Sequence, residues 1–255
     1  MFSGIMTGMK HSRPLITALF CTMMLVSGDI HASQSVIPRA VVELYTSQGC
    51  NSCPPADRVL YELNQEDSTL LVLSYHVDYW NYLGWTDPFS DARYSDRQRD
   101  YANRMRERYV YTPQVIINGD TVVRATAKRS IESTSKTVAP LKDISEISLA
   151  SENHGQPAQG AITLKAVGKS GAQQANRIWL IGYDREHQRD VLSGENAGKR
   201  LVHANVVREM IDLGPWDGTE KNIPFTMTTA YDGGIAVLIQ NGRGGPIIAA
   251  SVVRF

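Results

Sequence analysis

Charge of one sign is missing from this chain. Across 255 residues, 26 Lys and Arg stand against 26 Asp and Glu, and the pI is about 7.0. Proteins that hold nucleic acid or anionic membrane through sequence-independent attraction carry an excess of positive charge, so neither is expected as a partner. Cysteine is scarce too: 3 residues in this length cannot build a disulfide scaffold. Repeats, low-complexity tracts and collagen-like periodicity are absent, which excludes the fibrous and disordered classes. There is no Gly-x-Ser-x-Gly hydrolase elbow, no phosphate loop around Gly194 to Arg200, and no metal-helix spacing at His187 or His203. A globular protein of one large or two modest domains remains.

What is present begins with an export pattern. Lys10, His11 and Arg13 precede the apolar run from Leu15 to Val26, and small and polar residues follow to Ser33. The run is short of the roughly 20 residues a membrane span needs. Residues 1–32 therefore read as a signal peptide cleaved after Ala32, with the mature protein periplasmic or secreted and left without a stable membrane span. Cleavage removes Cys21, so the mature chain keeps only Cys50 and Cys53.

The mature chain changes character near residue 143. Ala40 to Thr46 is a β-branched and aromatic strand, Ala56 to Glu66 carries Val59, Leu60 and Leu63 at helical spacing, and Leu70 to Val77 is a nearly continuous apolar strand of the buried parallel kind. After an aromatic loop, Ser90 caps a polar helix to about Tyr109, with Tyr94, Tyr101 and Met105 on one stripe. Asn118-Gly119 then supplies a primed turn between strands 114–117 and 121–124, and a weaker helix covers 128–142. Beyond residue 143 the pattern becomes alternating strands at 162–165, 178–181, 235–239 and 247–253, which suggests a smaller, mostly antiparallel, sandwich-like β domain over 144–255.

Cys50-Asn51-Ser52-Cys53 is the sharpest chemical feature. It lies where a strand ends and a helix begins, and a helix start favours an anion. The thiolate is the nucleophile, and such settings lower a thiol pKa from about 8.5 to roughly 3.5–7.5. Cys50 is the candidate attacking sulfur and Cys53 the resolving one. Alternatives are a redox-inert bridge, which is a poor staple across so short a loop, and half of a zinc site, for which a second Cys pair is lacking. Glu43 is placed either to shuttle the Cys53 proton or to face solvent at a strand edge. His76 and Asp78 share a strand face at the sheet end where α/β proteins place their sites. Trp80, Tyr82, Trp85 and Phe89 wall an apolar groove or pack their own loop. Arg93, Arg97, Arg99, Arg104, Arg106 and Arg108, interleaved with acids, read as a solvated helix face.

Val42 to Asp57, His76 to Trp80, Gly84 to Phe89, Thr112-Pro113-Gln114, Gly194 to Gly198 and His203 to Arg208 resemble an uncharacterised family of secreted bacterial thioredoxin-like proteins, a domain of unknown function. The resemblance runs from about residue 40 to the C-terminus. It implies a thioredoxin-like domain over 38–143 and a thiol redox role without an established substrate. It also implies that Pro113 is a cis proline opposite the cysteine pair, with the Thr112 backbone aligning a substrate strand. Trp80 and Trp85 become candidate substrate-contact residues alongside Glu43, His76 and Asp78. The chain departs from thioredoxin itself in having Gly49 before Cys50 and Asn51-Ser52 between the cysteines, so the direction of electron flow stays open. The expectation is an exported thiol–disulfide oxidoreductase. It would act on protein or low-molecular-weight disulfides, work with a further redox partner and need no cofactor. Alternatives are a Cu(I) module held by Cys50, Cys53 and His76, suited to a soft ion, and a non-catalytic adaptor. Scattered Met105, Met210 and Met227 weaken the copper reading.

Overall fold

The computed structural model describes residues 1, 35–150, 155–167 and 176–255. Apart from Met1, the expected export segment lies outside the described residues. Among those residues no helix is long and apolar enough to cross a membrane.

The first half alternates strands and helices. Strand β1 (Ala40–Thr46) pairs in parallel with β2 (Leu70–His76) across helix α1 (Pro54–Glu66). Every residue of both strands is buried, as their largely apolar sequences anticipate, and Glu43, Thr46, Ser74 and His76 are buried with the rest. Helix α2 (Ala92–Met105) follows, then the hairpin β3 (Gln114–Ile117) and β4 (Thr121–Val123), then α3 (Lys128–Thr137). Asn118 and Gly119 hold φ of 47° and 66° in the hairpin turn, the positive pair that a primed turn requires. The α2 cap is Asp91 rather than Ser90: the Asp91 carboxylate accepts from Arg93 N–H, while the Ser90 hydroxyl turns back to the Asp87 carbonyl. The helix also stops earlier than expected, at Met105, where Arg106 turns left-handed at φ 60°.

The second half consists of β5 (Ser145–Leu149), β6 (Gln159–Leu164), β7 (Asn176–Asp190), β8 (Arg200–Trp216), β9 (Lys221–Thr226), β10 (Gly234–Asn241) and β11 (Ile247–Arg254). The architecture is mixed α/β, with one eight-stranded mixed sheet ordered β11-β10-β7-β8-β2-β1-β3-β4 and a three-stranded antiparallel sheet ordered β5-β6-β9. The boundary expected near residue 143 falls between α3 and β5, yet the large sheet continues across it. Strand β8 runs parallel to β2 at Ser74 and Val206, and the Ser74 hydroxyl donates to the Ala204 carbonyl at 2.8 Å. The described residues from 35 onward belong to one compact unit.

Three apolar clusters follow from this layering. Val42, Leu44 and Val72 meet Ala56, Leu60 and Leu63 of α1 and Ile131 of α3 on one sheet face. On the opposite face, Val41 and Tyr45 meet Tyr94 and Tyr101 of α2 together with Trp179, Ile181, Leu238 and Val252. The sheet curls around α2, so that Ile247 N–H reaches the Asn118 carbonyl at 2.8 Å. The small sheet covers Ile178, Leu180, Val237 and Ile239 on the outer side of the C-terminal wing.

Candidate functional site

Strand β1 ends at Thr46, and residues 47–53 turn into α1. Gly49 N–H donates to Ser47 Oγ at 3.0 Å, and Cys50 N–H to the Ser47 carbonyl at 3.1 Å. Cys53 is the N-cap of α1, and Pro54 and Pro55 fill its first two helical positions. Proline suits that first turn because its absent N–H has no intrahelical partner there. The same pair withholds two of the donors that a helix start usually offers an anion. The Ser52 hydroxyl lies 3.5 Å from Cys50 Sγ. Cys50 and Cys53 are joined as a disulfide, and both are buried, at 2% and 0% exposure.

Three segments close around this loop. The Thr112-Pro113 bond is cis. Pro113 and Ser52 line one cleft of about 490 Å³ with Tyr111, Val122 and Arg124, so the proline and the cysteine loop share a wall. The aromatic loop supplies Trp80, whose indole N–H donates to Thr112 Oγ1 at 2.7 Å, and Trp85, whose indole N–H donates to Gln48 Oε1 at 3.0 Å. A Cβ on Gly49 would stand 3.2 Å from both Cβ and the carbonyl oxygen of Trp80, which accounts for glycine before Cys50. The third segment is the loop between β7 and β8. Asn196, fully buried, donates from Nδ2 to the carbonyls of Gln48 and Cys50 at 2.9 Å each. Lys199 Nζ reaches Asn51 Oδ1 at 3.3 Å, and Ser193 bonds the Gly84 carbonyl.

Beneath the loop lies a buried polar cluster. His76 Nδ1 donates to Asp87 Oδ2 at 2.7 Å, and Gln48 N–H donates to the same oxygen at 2.7 Å. Burial works to raise the Asp87 carboxyl, but His76 and the N–H groups of Gln48 and Phe89 outweigh it and hold the group below its ordinary value. The His76 and His203 rings meet edge to face at 4.6 Å. His203 in turn lies between Gln48 Nε2, 3.3 Å from its Nε2, and Asp57 Oδ1, 3.4 Å from its Nδ1.

The other expected residues sort as follows. Asp78 accepts from Ser95 at the start of α2. Glu43 neither shuttles a proton at Cys53 nor faces solvent. It lies on the sheet face opposite α1, fully buried, and bonds Arg97 Nε at 2.7 Å and the Tyr101 hydroxyl. Arg97 is correspondingly buried, not part of a solvated face, because its guanidinium serves Glu43, Gln240 and Tyr101 at once. His76 joins Asp87 rather than the cysteines, and the described residues gather no group of three or more metal-holding side chains. Tyr82 is exposed, and Phe89 packs between His76 and His187. Gln48, Asp57 and Asp87 were not singled out in the sequence, and His203 was set aside there for lack of metal-helix spacing. The available signal was Asp57 falling one helical turn after Cys53 on the buried strip with Ala56, Leu60 and Leu63.

The family described as "Protein of unknown function (DUF1223)" matches residues 41–240. The chain belongs to that family. A crystal structure of another protein, AGR_C_4864 from Agrobacterium tumefaciens, is 31% identical, with a TM-score of 0.65, over 86% of this chain and 95% of that one. HBP35 of Porphyromonas gingivalis shares the fold at 12% identity and a TM-score of 0.56, over 86% of this chain and 75% of that one. Among curated proteins, none matches this DUF1223 chain.

Proposed function

We propose that this DUF1223 protein is an exported thiol–disulfide oxidoreductase with a thioredoxin-like N-terminal half. The observation that carries the reading is the Cys50–Cys53 disulfide at the start of α1, in a loop whose Ser52 lines a cleft with the cis-bonded Pro113. A strand-to-helix turn bearing two cysteines, a parallel strand pair, then a proline-led hairpin is the element order that supports the thioredoxin-like part. The export part rests on residues 1–32.

In the oxidising direction a client thiolate attacks Cys50 Sγ, the S–S bond breaks, and Cys53 leaves with the electron pair. A second client thiolate then attacks the client sulfur of the mixed disulfide and expels the Cys50 thiolate. The client leaves oxidised and the pair reduced. Run backwards, the same steps reduce a client disulfide. The cleft beside Ser52 and Pro113 seats the client segment, and a separate redox protein or small thiol resets the pair.

Two measurements test this. Iodoacetamide should modify reduced Cys50 at pH 7 at least about tenfold faster than an unactivated thiol. In cells, a Cys53→Ala variant should accumulate reduction-sensitive adducts on Cys50. Ordinary alkylation kinetics together with no adduct would overturn the reading.

A further inference from the structure

Cys53 is wholly buried, so its thiol cannot exchange a proton with water directly once the bridge is reduced. One turn along α1 stands Asp57, 3% exposed, with neither carboxylate oxygen hydrogen-bonded. Burying a carboxylate without donors is costly. Asp57 also lines a cleft of about 610 Å³ with Pro54, Pro55, Arg58, Lys199, Arg200 and Leu201, none of which lines the cleft at Pro113. It stands one helical turn from Cys53 and borders that cleft, with both carboxylate oxygens shielded behind the cleft wall.

A directed chain of donors leads to it. An indole N–H can only donate, so the Gln48 atom facing Trp85 is the oxygen and the one facing His203 is the amide nitrogen. His203 Nε2 is then the acceptor, its proton sits on Nδ1, and Nδ1 faces Asp57 Oδ1. At 3.4 Å that pair is short of a made hydrogen bond, and His203 Nδ1 also lacks a partner. A small movement closes or opens it. The charged and titratable groups around Asp57 are Cys53 and Arg58 on α1, His203 and Arg200 on β8, Lys199 before it, and His76 with Asp87 behind His203.

We propose, resting on the oxidoreductase reading, that Asp57 relays the Cys53 proton to solvent and that His203 is its positioning residue. In a mixed disulfide on Cys50, the Asp57 carboxylate takes the Cys53 thiol proton. The Cys53 thiolate attacks Cys50 Sγ, the bound group leaves as a thiolate with the bonding pair, and Asp57 releases its proton to the cleft.

The test uses the reduced full-length chain carrying Cys21→Ser, mixed with 5,5′-dithiobis(2-nitrobenzoate). Attack by Cys50 releases one aryl thiolate and resolution by Cys53 releases a second. Net, one protein dithiol and one aryl disulfide give one protein disulfide, two aryl thiolates and two protons. Asp57→Asn should slow the second release about 100-fold and leave the first within about twofold. His203→Asn should slow the second release severalfold and shift its pH profile, and the wild-type second release should be slower in heavy water. Second releases within twofold of wild type, equal slowing of both releases, or no isotope effect would overturn the relay. Should Asp57→Asn not fold, His203→Asn and the isotope effect decide. No adduct in cells together with ordinary alkylation of Cys50 would remove the oxidoreductase reading without altering these release rates, which test the relay alone.

Discussion

Two polar clusters are buried on β1, β2 and the loops beside them, and they are finished to different degrees. Around Arg97, every buried polar atom of Glu43, Tyr101, Gln240 and Trp179 has a partner, the guanidinium also lies over the rings of Tyr75, Tyr101 and Trp179, and the hydroxyls of Tyr45 and Tyr75 at the cluster's edge are the exceptions. Beneath the cysteine loop, both oxygens of Asp57, Nδ1 of His203 and Nε2 of His76 have none. A saturated network fixes one arrangement and gives little to a passing proton. An unsaturated one costs stability and keeps capacity to accept or donate. The first ties α2 to β1 and to the C-terminal wing; the second sits where chemistry is proposed.

The sharpest way to break this contrast is to open the saturated cluster. Arg97→Met strands a buried Glu43 charge and should cost about 3–5 kcal/mol in a urea titration, with Glu43→Leu added to it recovering most of the loss. If Arg97→Met costs under about 1 kcal/mol, the saturated cluster is not what holds the wings together. Next comes the cover. Asn196→Ala removes the side-chain donor from the Gln48 carbonyl and leaves the Cys50 carbonyl with the Cys53 N–H alone, and should cost about 1–3 kcal/mol. It should also speed reduction of the disulfide by dithiothreitol severalfold.

A smaller effect is expected from Asp87. Its carboxyl is held lower in the folded chain than in the unfolded one, so its contribution is present above the ordinary pKa of about 4 and is lost as pH falls through the folded value. Urea midpoints followed downward from about pH 6 to about pH 3 should fall less steeply in Asp87→Asn than in wild type. Smallest is Asp57→Asn, which removes an unsatisfied buried charge and should change stability by no more than about 1 kcal/mol. A large loss there would mean that Asp57 is a hidden structural anchor, and the contrast between the clusters would fail.

Elements held by local pattern were legible in the sequence. The apolar runs of β1 and β2, the helical spacing in α1 and the Asn118-Gly119 turn each follow from residues within a few positions of one another. Strand β8 was not legible. His203, Asn205 and Glu209 stand at buried positions in it, and Gly214-Pro215 interrupts its end, so neither alternation nor an apolar run survives. Asn205 is polar there for a reason invisible in the sequence: at φ 45° its side chain bonds the Val72 carbonyl and Asn64. Missing β8 hid the joining of the two halves. At the site, the cysteine pair was readable from its spacing and Pro113 from the family resemblance, whereas Gln48 and His203 meet across 155 positions. Glu43 was misread because its partner, Arg97, lay within a run of charges that looks solvated.

The cover over Cys50 has a consequence for synthesis. Asn196 stands 146 positions after the cysteine whose carbonyl it grips. A chain made from its N-terminus presents both sulfurs long before that amide exists, so the pair spends its earliest life uncapped. The Cys50–Cys53 bridge of a nascent chain halted before residue 190 should be reduced by dithiothreitol faster than that of the finished protein.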